Sequence, residues 1–590
     1  MNSETVNWEK PKISAELDFT KRTGSEIAAL RYGKEWSIVY MIFNKKEMYI
    51  GETVDASTRM FQHYGNTRRR NLEKVRFVYS NGFNKSSILD LESYLISHIS
   101  ADGQFKLQND NAGHQKHNYW QQEKYRAQFA GIWKELQDLK LAKKSLSEIE
   151  NDNLFKFSPY KDLTDNQFIA ANNILNELKK DILNNRESTF IVNGGPGTGK
   201  TVLAIYLAKL LLTYSASELG IDDKSLIRPI REIHKILPNP KIGIVVSMSN
   251  LRKILKSVLK HFDGGKDIVL SPSDVANYKG KYDILIVDEA HRLKAPRNVG
   301  AEIGNIQKNN AKLKIDKANG TQLDWIMKKS KHQIFFYDEF QSIKRADVDP
   351  SHFKKLIENG AREYLLETQI RCGKGGSEYV KYIRQLFSND NRPEKPICFQ
   401  NKNPENSYDF FIFDNVYKMT EKIRKMNVSD DVGLCRNIAG YAWEWKTKGK
   451  VNPRNLADTK RCIEHGLYDI DIEGHKYIWN TQYDGWVSSP NSENEIGCIH
   501  TIQGFDLNYA GVIIGNELKY NKETDKLYID KKEYYDKNGK NKTSEEDLEQ
   551  YIFNIYYVLC TRGINGTYIY ACDEGVREYL KKFIKTYTEQ

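Results

Sequence analysis

Long apolar runs are missing from this 590-residue chain. No stretch of about 18 consecutive apolar side chains occurs, which argues against a membrane-spanning helix. Cysteine is scarce and unpaired. The seven cysteines (Cys372, Cys398, Cys435, Cys462, Cys498, Cys560 and Cys572) are odd in number, and none falls in a CxxC spacing. A disulfide framework and a structural zinc site are therefore both disfavoured, and the thiols read as reduced ones in a cytoplasmic protein. The opening residues, MNSETVNWEKPK, carry no basic flank ahead of an apolar core, so no secretory signal is expected. Internal repeats and long low-complexity tracts are absent too, which excludes solenoids and biased linkers.

What is present reads as globular. Hydrophobic residues make up 39% and charged residues 28%, and the length calls for several domains, since one core rarely grows past about 250–300 residues. The net charge of +11 favours a polyanionic partner through counterion release, although ordinary solubility charge fits almost as well.

Along the chain, residues 1–33 show little periodicity beyond a helix-like stretch near Gly24–Arg31. From Trp36 to Gly51 the runs WSIVYMIF and MYIG flank Asn44-Lys45-Lys46-Glu47, a hairpin signature. Helical patterns follow at Ala56–Tyr64 and Lys85–Ser100, completing a compact α/β module over 34–120. Residues 121–158 read as a helical linker. Then apolar strand-like runs alternate with helices (FIVNG, IGIVVS, YDILIVDE, QIFFYD, and later DVGLCR, AGVIIG, GTYIYAC), which predicts parallel sheets covered on both faces. Two α/β lobes are expected, over 159–360 and 361–590, with a hairpin insertion at Asn516–Asn541.

The strongest local signal is GGPGTGKT, set between the strand TFIVN and the helix VLAIYLAKLL. Gly194, Gly195, Gly197, Thr198 and Gly199 let backbone N–H groups curl around a β-phosphate at a helix N-terminus. Lys200 can then reach the β/γ-phosphates and Thr201 can offer its hydroxyl to Mg²⁺. ILIVDEAH, about ninety residues later, ends an apolar strand in two carboxylates. Asp288 is placed to hold Mg²⁺ and Glu289 to orient the attacking water.

From Leu163 onward the chain resembles superfamily 1 helicases, with two RecA-like lobes. By that resemblance Gln167 in LTDNQ reads adenine, and Asp338 and Gln341 in FFYDEFQSI form motif III. Arg371 in LETQIRC contacts phosphate. Thr501, Gln503, Gly504 and Asp506 in IHTIQGFDLNYAGVIIG form motif V, which contacts nucleic acid, and Arg562 in YYVLCTRGINGTYIY is the arginine finger. GLCRNIAGYAWEW and EIGCIHTIQGFD look most like a Schlafen-type helicase domain. Trp443, Trp445, Trp479 and Trp486 read as base-stacking platforms or as core, with core favoured for at least half.

Residues 36–118 resemble the GIY-YIG nuclease domain, through Ile38-Val39-Tyr40, Tyr49-Ile50-Gly51, Arg59, His63, Glu92 in LDLESYLI and Asn109 in KLQNDNAG, with Asn111 a rival for the last position. Ile38 replaces the first glycine of the family name. The resemblance implies a tyrosine base, either Tyr40 or Tyr49, with Arg59 on the phosphate and Glu92 as the lone metal ligand. Asn109 then serves substrate or metal. Arg68-Arg69-Arg70 reads as a solvated turn or a backbone grip. The whole implies a nuclease–helicase fusion that uses ATP and Mg²⁺ (or Mn²⁺ for cleavage) on DNA, with RNA left open, in repair or anti-phage defence. The rivals are a nucleic-acid-sensing ATPase whose N-terminal module only binds, and an RNA-directed endonuclease.

Overall fold

The computed structural model describes residues 10–109, 119–157, 163–212, 224–259, 265, 267–369, 372, 375–399, 407–428, 433–450, 456–482, 485–502 and 504–589. Asn111, Arg371 and Gln503 lie outside them. The chain divides into two compact units. One comprises Met1–Asn184, Ile205–Pro240 and Ile254–Lys266; the other comprises Asn185–Ala204, Lys241–Lys253 and Asp267–Gln590.

In the first unit the expected hairpin forms from Ile38–Phe43 and Glu47–Thr53, with Tyr40 opposite Gly51 and Ile42 opposite Tyr49. Lys74–Tyr79 pairs on the far side of Ile38–Phe43, and the short strands Lys12–Ile13 and Leu17–Asp18 both pair with Lys74–Tyr79. The supposed extension is thus stitched into the sheet. Every residue of Ile38–Phe43 is buried, so both faces are covered. Strand side chains alternate between faces. Val39, Met41 and Phe43 accordingly pack with Leu91, Leu95 and Ile99 of helix Lys85–Asp102. Ile38, Tyr40, Ile42 and Tyr49 pack instead with Ala56 and Met60 of helix Ala56–Gly65.

The linker expectation is corrected here. Helix Gln122–Asp138 places Tyr125, Phe129, Ile132, Trp133 and Leu136 on one stripe, at offsets of 4, 7, 8 and 11 residues. That stripe joins the same core as Val39 and Met41, and the Trp133 indole donates to the Lys144 carbonyl at 3.0 Å. The helix belongs to the module's own hydrophobic interior.

The second unit holds two parallel sheets. The first runs in the order Arg362–Leu366, Ser188–Gly194, Ser330–Tyr337, Tyr282–Asp288, Ile242–Val246 and Val269–Leu270. It takes in a strand beyond residue 360. The second runs Asp409–Ile412, Gly563–Ala571, Leu507–Ile514, Arg436–Ala439 and Ile496–Cys498. Central strands such as Ile242–Val246 are buried at every position, as apolar runs in a sheet covered on both faces should be. Leu518–Asn521 and Lys526–Ile529 form the expected inserted hairpin. Trp479 and Trp486 are fully buried and belong to the interior, while Trp443 and Trp445 are half-buried against the second sheet's core. No helix among the described residues is long and apolar enough to cross a membrane.

Candidate functional sites

In the N-terminal module, sheet alternation and one helix bring the singled-out residues together. Tyr40 and Tyr49 share a face, and Asp55 starts helix Ala56–Gly65 by accepting from the Thr58 N–H at 3.0 Å. Four residues apart on that helix, Arg59 and His63 face the same way. The Tyr40 hydroxyl oxygen lies 2.6 Å from His63 Nε2 and accepts from Arg59 Nε at 3.3 Å. Close approach demands Gly51, because a Cβ there would sit 2.2 Å from the Tyr40 oxygen. Asn109 clamps the second strand: its Oδ1 accepts from the Ile50 N–H at 3.0 Å and its Nδ2 donates to the Ile50 carbonyl at 2.7 Å.

One contributor escaped sequence reading. Arg69 donates to His63 Nδ1 at 2.8 Å and lays its guanidinium 3.8 Å from the centre of the Tyr49 ring. Three consecutive arginines gave no signal of which one turns inward.

The electrostatics follow from burial. His63 is pushed down to about 2 by desolvation and by the Arg69 and Arg59 cations, so it is neutral at pH 7. Burial and Tyr49 raise Tyr40 well above the ordinary tyrosine range, while Arg59 pulls it down. Glu92, buried and facing Glu52, is pushed up to about 8. Glu52 itself is ion-paired with Lys85. A buried carboxyl that resists ionisation gains from a divalent cation, and Mg²⁺ commonly binds through one or two carboxylates plus water and phosphate. The donor set therefore fits such an ion. Among the described residues no group of three or more His, Cys, Asp or Glu could hold a metal.

In the second unit the P-loop turns on Gly197 and Gly199, with φ of +80° and +75°, a region open to glycine. Lys200 Nζ donates to the Gly195 carbonyl at 2.9 Å, also to that of Gly194, and sits 3.4 Å from Asp338 Oδ2. Thr198 donates to the Gly195 carbonyl at 3.0 Å. The Thr201 hydroxyl donates to Asp288 Oδ2 at 2.7 Å. Asp288 Oδ1 is buried and has no hydrogen-bond partner. A carboxylate so exposed to desolvation is pushed up to about 7, and Glu289 adds to the rise. Burial acts upward on Glu289 as well, but His291, 2.9 Å away, and Lys200 hold it below the usual carboxylate range. Glu289 also adopts φ +51°, a strained backbone of the kind that clusters at functional sites. The orphaned Asp288 oxygen beside the Thr201 hydroxyl fits a hydrated Mg²⁺.

The remaining singled-out residues fall as follows. Gln341 donates to Asp338 Oδ2 at 2.7 Å, joining motif III to Lys200. Gln369, which the sequence reading passed over, donates to the Pro196 carbonyl at 2.5 Å and so ties the strand end after Leu366 to the P-loop. Arg562 is buried with Nε on the Val558 carbonyl at 3.0 Å. Thr501 donates to the Cys498 carbonyl at 3.0 Å, and Gly504 has φ +81°. In the first unit, Gln167 completes a capping box with Thr164 at the start of helix Asp165–Leu183.

Sheets, P-loop and acidic pair define a P-loop protein of helicase type, carrying a GIY-YIG module ahead of it. Comparison with known proteins makes the assignment specific. Residues 187–573 match the family Schlafen group 3, DNA/RNA helicase domain, and the chain belongs to that family. Residues 37–106 match the GIY-YIG catalytic domain. The uncharacterized protein YPL245W of Saccharomyces cerevisiae is 25% identical over 421 residues, covering 66% of this chain and 83% of the yeast protein. Among solved structures, an arterivirus helicase, nonstructural protein 10, is 11% identical with a TM-score of 0.26; the match covers 69% of this chain and 64% of that one. Pif1 helicase from Bacteroides, solved with ADP-AlF3 and single-stranded DNA, is 10% identical with a TM-score of 0.27, covering 67% and 91%. Structural likeness at that level carries no inference about function.

Proposed function

We propose that the protein cleaves DNA with its GIY-YIG module and hydrolyses ATP with its helicase domain, using the motor to move along or remodel the strand that the module cuts. The observation that carries the reading is the convergence of Arg59 and His63 on the Tyr40 hydroxyl, with Tyr49 on the same face of the sheet and a buried Glu92 near enough to act on Tyr40.

In this reading Tyr40 takes the proton of the attacking water after first releasing its own to solvent; burial holds that proton on in the free protein, so its release is coupled to binding of the substrate and a cation. The water oxygen bonds to phosphorus, the P–O bond to the leaving strand breaks, and the leaving oxygen takes a proton from solvent. Hydrogen bonds from Arg59 and His63 favour the phenolate. Arg59 also neutralises charge building on the phosphate. A divalent ion on Glu92 supplies Lewis-acid stabilisation of the leaving oxygen when bound. Tyr40 is preferred over Tyr49 because its oxygen has both partners, whereas the Tyr49 ring is covered by Arg69.

In the motor, Lys200 exchanges its loop carbonyls for the β/γ-phosphates, Thr201 and Asp288 hold the metal, and Glu289 orients the water. Arg371 and Arg562 are assigned to the γ-phosphate, Gln167 to the adenine, and Thr501 and Gln503 to the strand. Repair or anti-phage restriction would suit such an enzyme. Plaque counts on cells carrying wild type or the Lys200→Ala variant test the second role.

The test of the activity is cleavage of plasmid and linear duplex DNA in Mg²⁺ or Mn²⁺, with and without ATP. Wild type should cut, Glu92→Ala should not, and Lys200→Ala should lose the ATP response. If nothing is cut while DNA still stimulates ATP hydrolysis, the module only binds and the protein is a nucleic-acid sensor. Cleavage of RNA in preference to DNA would make it a ribonuclease.

A further inference from the structure

We propose that Arg69 is a positioning residue of the nuclease module: it fixes the tautomer of His63, and through that tautomer makes the Tyr40 oxygen a hydrogen-bond acceptor. The functional part rests on the nuclease reading above; the tautomer does not.

A guanidinium has N–H donors and no acceptor. Arg69 NH1 lies 2.8 Å from His63 Nδ1, so Nδ1 must present its lone pair. His63 is buried between two arginine side chains and is neutral. A neutral imidazole has one N–H, which therefore sits on Nε2, 2.6 Å from the Tyr40 oxygen. His63 donates and Tyr40 accepts. Arg59 Nε, also a donor, occupies a second position on the same oxygen at 3.3 Å. The third position carries the phenol's own proton, with the Tyr49 hydroxyl within hydrogen-bond reach; in the phenolate it is open to a proton from Tyr49 or from water.

The opposite tautomer would aim an N–H at the guanidinium and turn Nε2 into an acceptor. The Tyr40 proton would then be drawn onto the His63 side, and the oxygen would face the site with its donor role already taken. Arg69 selects between these two states without touching Tyr40.

The geometry is over-determined. Arg69 is half-buried, whereas Arg68 and Arg70 are exposed. The Asn66 side-chain oxygen accepts from the Arg68 and Arg69 backbone N–H groups at 3.0 and 3.3 Å, which shapes the turn. Arg70 turns outward onto the Tyr64 carbonyl at 3.1 Å. The Arg69 guanidinium is pinned from the other side by the Tyr49 ring, a cation–π contact.

The test uses the full chain with ¹⁵N-labelled histidine, reading the His63 tautomer from long-range ¹H–¹⁵N correlations assigned by their loss in His63→Gln. Wild type should show Nε2–H, and Arg69→Ala should shift the population toward Nδ1–H. Arg69→Gln, whose amide can donate to Nδ1, should restore Nε2–H. In DNA cleavage, Arg69→Ala should lower kcat by about 10–100-fold, the usual scale for a residue acting through another, with KM and the salt slope unchanged. An arginine that merely grips the DNA backbone would instead raise KM and lower the salt slope. Nδ1–H in the wild type, or an unchanged tautomer in Arg69→Ala, overturns the proposal. A tautomer shift in a protein that never cuts DNA leaves the positioning role standing and refutes the nuclease reading alone.

Discussion

The nuclease module and the P-loop hold their charges in opposite ways. Around Tyr40 the cations already lie against the groups they serve: Arg59 on the phenol oxygen, Arg69 on His63 and the Tyr49 ring. Around Lys200 the charges satisfy each other. The ammonium rests on two carbonyls of its own loop and near Asp338, while Asp288 keeps one buried oxygen without a partner. The first site is organised before a ligand arrives. The second must exchange internal contacts for a nucleotide, which couples binding to rearrangement. On the proposed function the contrast has a reason: a site that only cuts gains from rigidity, whereas a motor needs two states of similar energy.

The largest test of that contrast removes one charge from each side. Lys200→Ala should lower ATP hydrolysis by about 10²–10³-fold while leaving ATP-independent cleavage intact, read by phosphate release and by nicking of plasmid. Glu92→Gln should do the reverse. Loss of both activities in either variant would mean that the two sites are obligately coupled and the contrast is wrong.

Next comes the packing beneath the nuclease site. Trp133→Ala should cost about 3–5 kcal/mol, visible as an early melting transition and loss of cleavage, although Trp133 lies far along the chain from every catalytic candidate. If the transition is unmoved, helix Gln122–Asp138 is a linker after all.

A smaller effect is linked to pH. In metal-free protein the Glu92 carboxyl titrates near 8 when folded and near its ordinary value of 4.5 when unfolded. Between those values the folded state keeps a proton that the unfolded state has released, so stability falls as pH rises through this window. Glu92→Gln removes that loss. Its melting temperature should exceed that of wild type at pH 8, match it near pH 4.5, and lose the advantage when Mg²⁺ saturates the wild type. Parallel curves for the two proteins would show that burial does not perturb this carboxyl.

The smallest expected change is at Gln369. Replacing it by Ala removes one hydrogen bond to the P-loop, about 1 kcal/mol, and should weaken nucleotide affinity several-fold in a titration with a fluorescent ATP analogue.

The P-loop was legible in the sequence because its chemistry leaves little freedom: glycines where backbone must curl, then Lys200 and Thr201 at a helix start. The nuclease residues were legible as a set, since hairpin alternation and a four-residue helical spacing bring Tyr40, Tyr49, Arg59 and His63 to one face. Which tyrosine meets His63 was not, because that hydrogen bond joins residues 23 apart in the chain. Arg69 was hidden for the same reason, its partners being set by a turn rather than by periodicity. The stripe on Gln122–Asp138 was visible, but an amphipathic stripe does not say what it covers. Gln369 stood inside a quoted motif, yet only the fold shows its contact with Pro196.

Helix Gln122–Asp138 also bears on timing. A ribosome makes Tyr40, Arg59, His63 and Glu92 well before Trp133 and Phe129, and the sheet that carries the tyrosines shares its interior with those later side chains. The nascent chain thus passes through an interval in which every candidate residue of the site exists and the helix that completes its scaffold does not. If the module cuts as proposed, the order of synthesis would keep it unarmed until the helix behind it has emerged.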